Sequence, residues 1–418
     1  MTGLGYLNSP WPGEDGGPQR LQRPLSGAGL DLRAGEVLQA TTRRTLMSTM
    51  TVLGAPGEVY LLTHTALRAQ VGLCTTSRVE MIDPQSLKPV HRSPPLKGGP
   101  MWPGGMAIHR NGDLYVVYGN HAHRLNRQCE VLASHGLPVN EAYNAFVILD
   151  NGLIVTKNLS ASTPARLTVL DPETLQPVCA DVLSPEPSIA RLSALGDSVY
   201  VVGVRSIFRY HWDAAQQTLR CDPGWHFDYI GQSRQTYGWD VVLDGTHAWF
   251  MDNGQHRYRY RMVGAGVSRT ANRLIRVSLT DAQDHQMLEV SGLPGGSITN
   301  PPLIDLQSHT VVAYDSANSV LQAWRFDNAL RRLTPIWRKA PFGTASHMVL
   351  FPDTGELVVN DYRRHGEEVV VLDITSGFEK GRVRLGGLMQ GVVFPSPGWG
   401  RDFYWSSMGQ LARVSMSG

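Results

Sequence analysis

Apolar residues in this chain fall in short runs broken by turn residues. The recurring unit is a loose strand, a small turn and a strongly apolar strand. It reads TVLGAPGEVYLLTH (51–64), MAIHRNGDLYVVYG (106–119), FVILDNGLIVTKN (146–158) and LSALGDSVYVVG (192–203). It continues as VVLDGTHAWFMDN (241–253), IDLQSHTVVAYDS (304–316), MVLFPDTGELVVND (348–361) and VVFPSPGWGRDFYWSS (392–407). Asn-Gly, Asp-Gly and Pro-Gly pairs between such runs signal hairpins.

A second pattern follows the first. VEMIDPQSLKPV (79–90) and LTVLDPETLQPV (167–178) each place a D-P-x-[ST]-L turn between two strands. Asp bonds its own backbone at such a turn, and Pro presets φ at the next position. The two turns begin at Asp83 and Asp171, two units of about 44 residues apart, the length of a four-stranded propeller blade. RLNRQCEVLA (124–133) turns midway, near Asn126. Later equivalents fall near Asp213, Thr280, Asp327, Asp373 and Ser415.

The predicted fold is therefore all-β: a closed β-propeller of eight four-stranded blades over residues 36–418, preceded by a Gly/Pro-rich arm at 1–35. The eighth unit ends at Gly418 with no room for its outer strand, which EVLQATTRRT (36–45) can supply. That would close the ring and remove a sheet edge. Seven blades are the alternative if unit four or eight is misread, and a β-sandwich is the competing architecture.

Composition agrees with many short strands and tight turns: 43 Gly, 26 Pro and 18% charged residues. A formal net charge of +2 gives no reason to expect nucleic acid or an anionic membrane as partner. Cys74, Cys129, Cys179 and Cys221 are scattered without zinc spacing, which points to a reduced, cytoplasmic setting. The first residues lack the apolar core of a signal peptide, and no apolar run approaches membrane-spanning length. Oligomeric state is not legible.

The D-P-x-[ST]-L-x-P-V hairpins resemble those of quinoprotein-like and YVTN-type propellers, which implies a propeller fold. The tryptophan-docking motif of PQQ dehydrogenases is not recognisable, which argues against PQQ. The WD40 signatures are missing too.

In a propeller, loops entering the innermost strand and loops leaving the second strand share one face. The residue closing the second strand is Asp252, Asp315 and Asp361 in three consecutive units and Lys157 in unit three. Three carboxylates that close repel unless a cation or an arginine sits among them, and oxygen ligands suit Ca²⁺ or Mg²⁺. The trio resembles the calcium sites of gluconolactonase-type propellers. Strand-end caps are the plainer reading of each Asp.

Lys157, Tyr237 and His347 are the candidate acid–base groups. Tyr143, Arg191, Arg205 and Trp239, with Trp102 and Gln390, line the expected mouth. An insertion at 254–273 carries five arginines and no acid, so Arg257 and Arg259 are candidates to clamp a carboxylate or phosphate. A solvated outer hairpin is the plainer reading of that insertion.

The functional expectation is a small-molecule enzyme with its site at one face of the channel and a substrate of anionic type. A metal-assisted hydrolase or lactonase comes first. A metal-free lyase or isomerase using Tyr, His and Lys is the second reading, and a non-catalytic interaction propeller the third.

Overall fold

The computed structural model describes residues 4–25, 29–100, 104–259, 261–327, 329, 331–363, 366–387, 394–407 and 409–417. Eight antiparallel sheets stand around a central axis. Blade 1 is built from Met47–Leu53, Val59–His64, Thr75–Ile82 and Pro89–Arg92, with Leu96–Gly99 as an added strand. Blade 2 spans Gly105–Ile108 to Val131–Gly136, blade 3 Tyr143–Ile148 to Val182–Leu183, and blade 4 Ser193–Leu195 to Thr218–Asp228. Blade 5 runs from Val242–Leu243 to His285–Glu289, blade 6 from Leu303–Asp305 to Arg332–Lys339, and blade 7 from Val349–Phe351 to Glu379–Arg384. Blade 8 joins Ser396–Pro397, Asp402–Ser407 and Gln410–Ser417 to Val37–Arg44 from the other end of the chain. Units four and eight are thus true blades, and the ring closes as expected. Val37 lies opposite Ser417 and Arg44 opposite Gln410. A 2.6 Å ion pair from Arg401 to Glu36 pins the start of the closing strand.

The repeated turns work as their residues dictate. Asp83 accepts hydrogen bonds from the Ser86 amide and hydroxyl at 2.7 Å, and Asp171 accepts from the amides of Glu173 and Thr174. The next leucine, Leu87 or Leu175, takes a left-handed φ of 61° or 59°. That conformation costs roughly 1–2 kcal/mol, and burial of the side chain offsets it. Cys129 holds the equivalent place after Asn126, with φ 64°.

Neighbouring blades bury their faces against each other. One cluster holds Trp249, Val311, Tyr314, Leu357 and Val359 from blades 5 to 7; another holds Leu61, Val358, Phe403 and Trp405 from blades 7, 8 and 1. A strand sandwiched this way is buried on both sides, so Thr310–Asp315 is buried throughout and its interior, Val311 to Tyr314, reads as an unbroken apolar run.

The arm is woven into the ring. Residues 11–18 are all buried. An innermost strand leaves one edge without a ladder partner, and its buried amides need acceptors. The arm supplies them at 2.7–3.0 Å. Leu53 donates to the Trp11 carbonyl, Ile108 to Pro12, Ala194 to Pro18, Leu243 to Gln19 and Leu350 to Gln22. The Ile148 amide donates to the Tyr6 hydroxyl, and Gln22 Nε2 donates to the Pro302 carbonyl. Seven blades are tied to one segment, mostly where their innermost strands end. No helix among the described residues is long and apolar enough to cross a membrane.

Candidate functional site

Because the arm covers the end of the channel where the innermost strands finish, the other end is where those strands begin. Two residues before the innermost strand of blade 4 stands Arg191; at the same step stand Asp240 in blade 5, His347 in blade 7 and Phe394 in blade 8. The arm adds Glu14, Asp15 and Arg20, and the end of the second strand of blade 3 adds Lys157. The ionisable side chains here are 0–7% exposed.

Their contacts form one network. Arg20 reaches Glu14 at 2.8 Å and Asp15 at 3.2 Å. Arg191 Nη1 donates to Asp240 at 3.2 Å, while Arg191 Nε stands 3.6 Å from Glu14. His347 Nδ1 lies 2.9 Å from Asp15 without the alignment of a hydrogen bond. The Phe394 ring stacks on His347 at 4.1 Å and lies 4.5 Å from the Arg191 guanidinium. Gly105 makes room for Glu14: a side chain there would collide with its carboxylate. Asp15, Arg20 and Gln22 hold φ of 53°, 56° and 55°. Such left-handed residues cost on the order of 1 kcal/mol each and persist only where the surroundings over-determine them.

Burial dominates the electrostatics. It drives the Lys157 ammonium down to about 7, an effect that Asp240 opposes and Arg191 reinforces. It drives the Glu14 carboxyl up to about 7 against the pull of Arg20 and Arg191. Burial also raises Asp240, but Arg191 and Arg20 outweigh it and hold that carboxyl below its ordinary value. Lys157 Nζ donates to the Ser188 carbonyl at 3.0 Å and the Asn158 carbonyl at 3.3 Å. Among the described residues, Arg191 Nε and Nη2 and His347 Nε2 have no hydrogen-bond partner.

The structure therefore brings Lys157, Arg191 and His347 together at the axis. Asp240, Glu14, Asp15 and Arg20 complete the group and were not read from the sequence. Tyr237 is half-buried on the loop entering blade 5, its phenol pushed up to about 12 by burial. Trp239 turns into the core and donates from Nε1 to the Gly254 carbonyl at 2.9 Å. Tyr143 lies in the core between blades 2 and 3. Arg205 stays exposed and donates to the Gly231 carbonyl. Arg257 and Arg259 belong to a hairpin, His256–Arg259 with Arg261–Gly266, that projects from blade 5. Their side chains lie outside the described residues, as do Trp102 and Gln390.

The three aspartates each serve their own blade. Asp252 accepts from the Arg273 amide and pairs with its guanidinium at 2.6 Å. Asp315 accepts from Ser291, Ser297 and Asn318. Asp361 accepts from the Gly343 amide and from Arg382. Each carboxylate is occupied locally, so the trio does not fit a shared Ca²⁺ or Mg²⁺. No group of three His, Cys, Asp or Glu among the described residues is placed to hold a metal. Burial raises the Asp252 carboxyl to about 6 despite Arg273. We expect Asp252→Ala to cost about 3 kcal/mol by stranding Arg273, measured by urea unfolding, and a chelator to leave the wild-type melting temperature unchanged.

No family model matches the chain, and no curated protein matches it. Among solved structures, it is similar to BamB from Moraxella catarrhalis, with a TM-score of 0.56 and 12% identity over 91% of this chain and 100% of that one. The Dos1 propeller gives a TM-score of 0.57 at 9% identity, over 91% and 95%. Apo AztD from Citrobacter koseri gives 0.52 at 11% identity, over 84% and 96%. Identities this low carry the fold alone. What these proteins and this chain share is the β-propeller.

Proposed function

We propose that this propeller is a small-molecule enzyme whose reaction centre is the axial cluster, working by metal-free acid–base chemistry of the lyase or isomerase type. One observation carries the reading. Lys157 is fully buried and held by two carbonyls, and no carboxylate among the described residues lies within ion-pairing distance of it. A lysine so placed is largely a free amine just above neutral pH, as a general base requires. Arg191 carries unused N–H capacity with which to stabilise an oxyanion as it develops, and His347 beside it leaves Nε2 without a partner. Glu14, with its raised pKa, is the group that returns a proton. The cysteines are free, which fits a reducing, cytoplasmic compartment.

The test is turnover of lactones, 2-hydroxy acids and keto acids followed by NMR, in wild type and Lys157→Met. We expect one class to be consumed, with kcat at least about 10²-fold lower in the variant and no effect of a chelator. Turnover that survives Lys157→Met, or is lost with the chelator, contradicts the reading. A non-catalytic platform is the second reading, favoured by Leu67, Val71 and Leu73, which stand 59%, 71% and 52% exposed on the insertion after His64. It predicts no turnover, and loss of partner binding in Leu67→Asp.

A further inference from the structure

Each guanidinium of the axial cluster has carboxylate partners within ion-pairing distance, and Lys157 has none among the described residues. Arg20 pairs with Glu14 and Asp15, and Arg191 with Asp240 and, at 3.6 Å, with Glu14. When Lys157 carries a proton, it has no counter-charge of its own. The electrostatic influences on it come from Asp240 and Arg191. Beyond them, the charged or titratable groups of the cluster are Glu14, Asp15 and Arg20 from the arm and His347 from blade 7. An isolated buried ammonium is unfavourable, and the group that relieves it is an anion.

We propose that the axial site binds a small oxyanion, a carboxylate or a sulfate- or phosphate-type group, between the Lys157 ammonium and the free Nη2 edge of Arg191, with uptake of a proton by Lys157. The inference rests on the reading of the axial cluster as the reaction centre and names a class of ligand for it: with the anion bound, Lys157 is an ammonium and serves as proton donor, and it is a base only in the anion-free site. The geometry supports it in two ways. Arg191 spends Nη1 on Asp240 and leaves Nη2 without a partner, although the side chain is fully buried. The arm, which carries Glu14 and Asp15, fills the channel from the side where the innermost strands end. An entering anion therefore comes from the opposite side, where Lys157 closes the second strand of blade 3. Carboxylate and phosphate oxygens suit a guanidinium edge, and the ammonium adds a point charge.

Proton uptake follows from linkage. The free amine titrates near 7, and an adjacent anion raises that value. Above neutral pH, binding must therefore draw a proton onto Lys157, and affinity falls about tenfold per pH unit.

The experiment is isothermal titration of the wild-type protein with sulfate and with succinate at pH 6.5 and 8.5, in buffers of different ionisation heat. Sulfate is fully ionised at both pH values, and succinate is fully ionised at pH 8.5 and mostly so at pH 6.5. The expected result is binding that weakens at least about tenfold at pH 8.5, with about one proton taken up there, and loss of binding in Lys157→Met. Absence of binding by both probes overturns the proposal. So does binding with no proton uptake at pH 8.5, a readout that needs no variant and stands if Lys157→Met fails to fold. Equal binding by a folded Lys157→Met overturns it as well. Lys157-dependent turnover of a neutral lactone without anion binding would sink this inference and leave the acid–base reading intact. Lys157-dependent anion binding without turnover of any class would do the reverse.

Discussion

A chain lacking residues 1–22 should not fold to a stable propeller, and Trp11→Ala alone should cost about 3–5 kcal/mol. Trp11 is fully buried in the cluster that joins blades 7, 8 and 1. Its carbonyl accepts the Leu53 amide, and Pro12, Pro18, Gln19 and Gln22 do the same for four other blades. Without the arm, those amides face an empty channel, each losing a buried hydrogen bond. The electrostatic loss compounds this. Removing Glu14 and Asp15 leaves Arg191 and Lys157 around the single carboxylate of Asp240, and breaking buried pairs costs about 3–5 kcal/mol each. Urea unfolding of Trp11→Ala and solubility with circular dichroism of the truncated chain provide the check. A truncated chain that melts within a few degrees of the full one contradicts the arm's role.

Lys157→Met should stabilise the protein at neutral pH, by on the order of 1–4 kcal/mol, and the gain should vanish as pH rises. Burial lowers the folded-state pKa of this lysine from 10.5 to about 7. Below 7 the amine is charged whether folded or not, and the folded state bears the full desolvation cost. Between 7 and 10.5 the unfolded chain binds more protons than the native one, so wild-type stability rises with pH. Methionine never charges, so the variant lacks this rise. The measurement is urea unfolding of both proteins at pH 7 and pH 9.5, with the difference between them shrinking at the higher pH. A difference that is the same at both values contradicts the neutral-amine account.

Much of the fold was legible because propeller turns are local. Asp83, Asn126 and Asp171 close their turns with atoms two to four residues away, so their spacing carries the blade period. The closing strand was legible from the missing outer strand of the last unit. The arm was not. Its Gly/Pro-rich composition signals irregular backbone, but irregular backbone whose hydrogen-bond partners lie on seven blades leaves no periodic trace.

The site divides in the same way. Arg191 and His347 were found by reading one structural position around the ring. In blade 5 that reading settled on Tyr237 and Trp239, of which Trp239 faces the core, when its neighbour Asp240 faces the axis. Adjacent residues point to opposite sides, so an error of one residue exchanges a channel group for a core group. The aspartates were read as a cluster because they share a position. They end in separate local networks because a strand-end carboxylate finds its own blade's amides and arginines first.

Lys157, a buried amine poised near neutral pH, is the centre of the axial chemistry. The chain has five lysines, Lys88, Lys97, Lys157, Lys339 and Lys380, so each side chain can be followed separately by NMR in protein with ¹³C-labelled lysine. The decisive measurement is the pH titration of the Lys157 ε-carbon, assigned by its absence in Lys157→Met. A midpoint near 7 is the predicted result. A midpoint at the ordinary lysine value of about 10.4 would contradict it and leave the axial cluster as structural ion pairing alone.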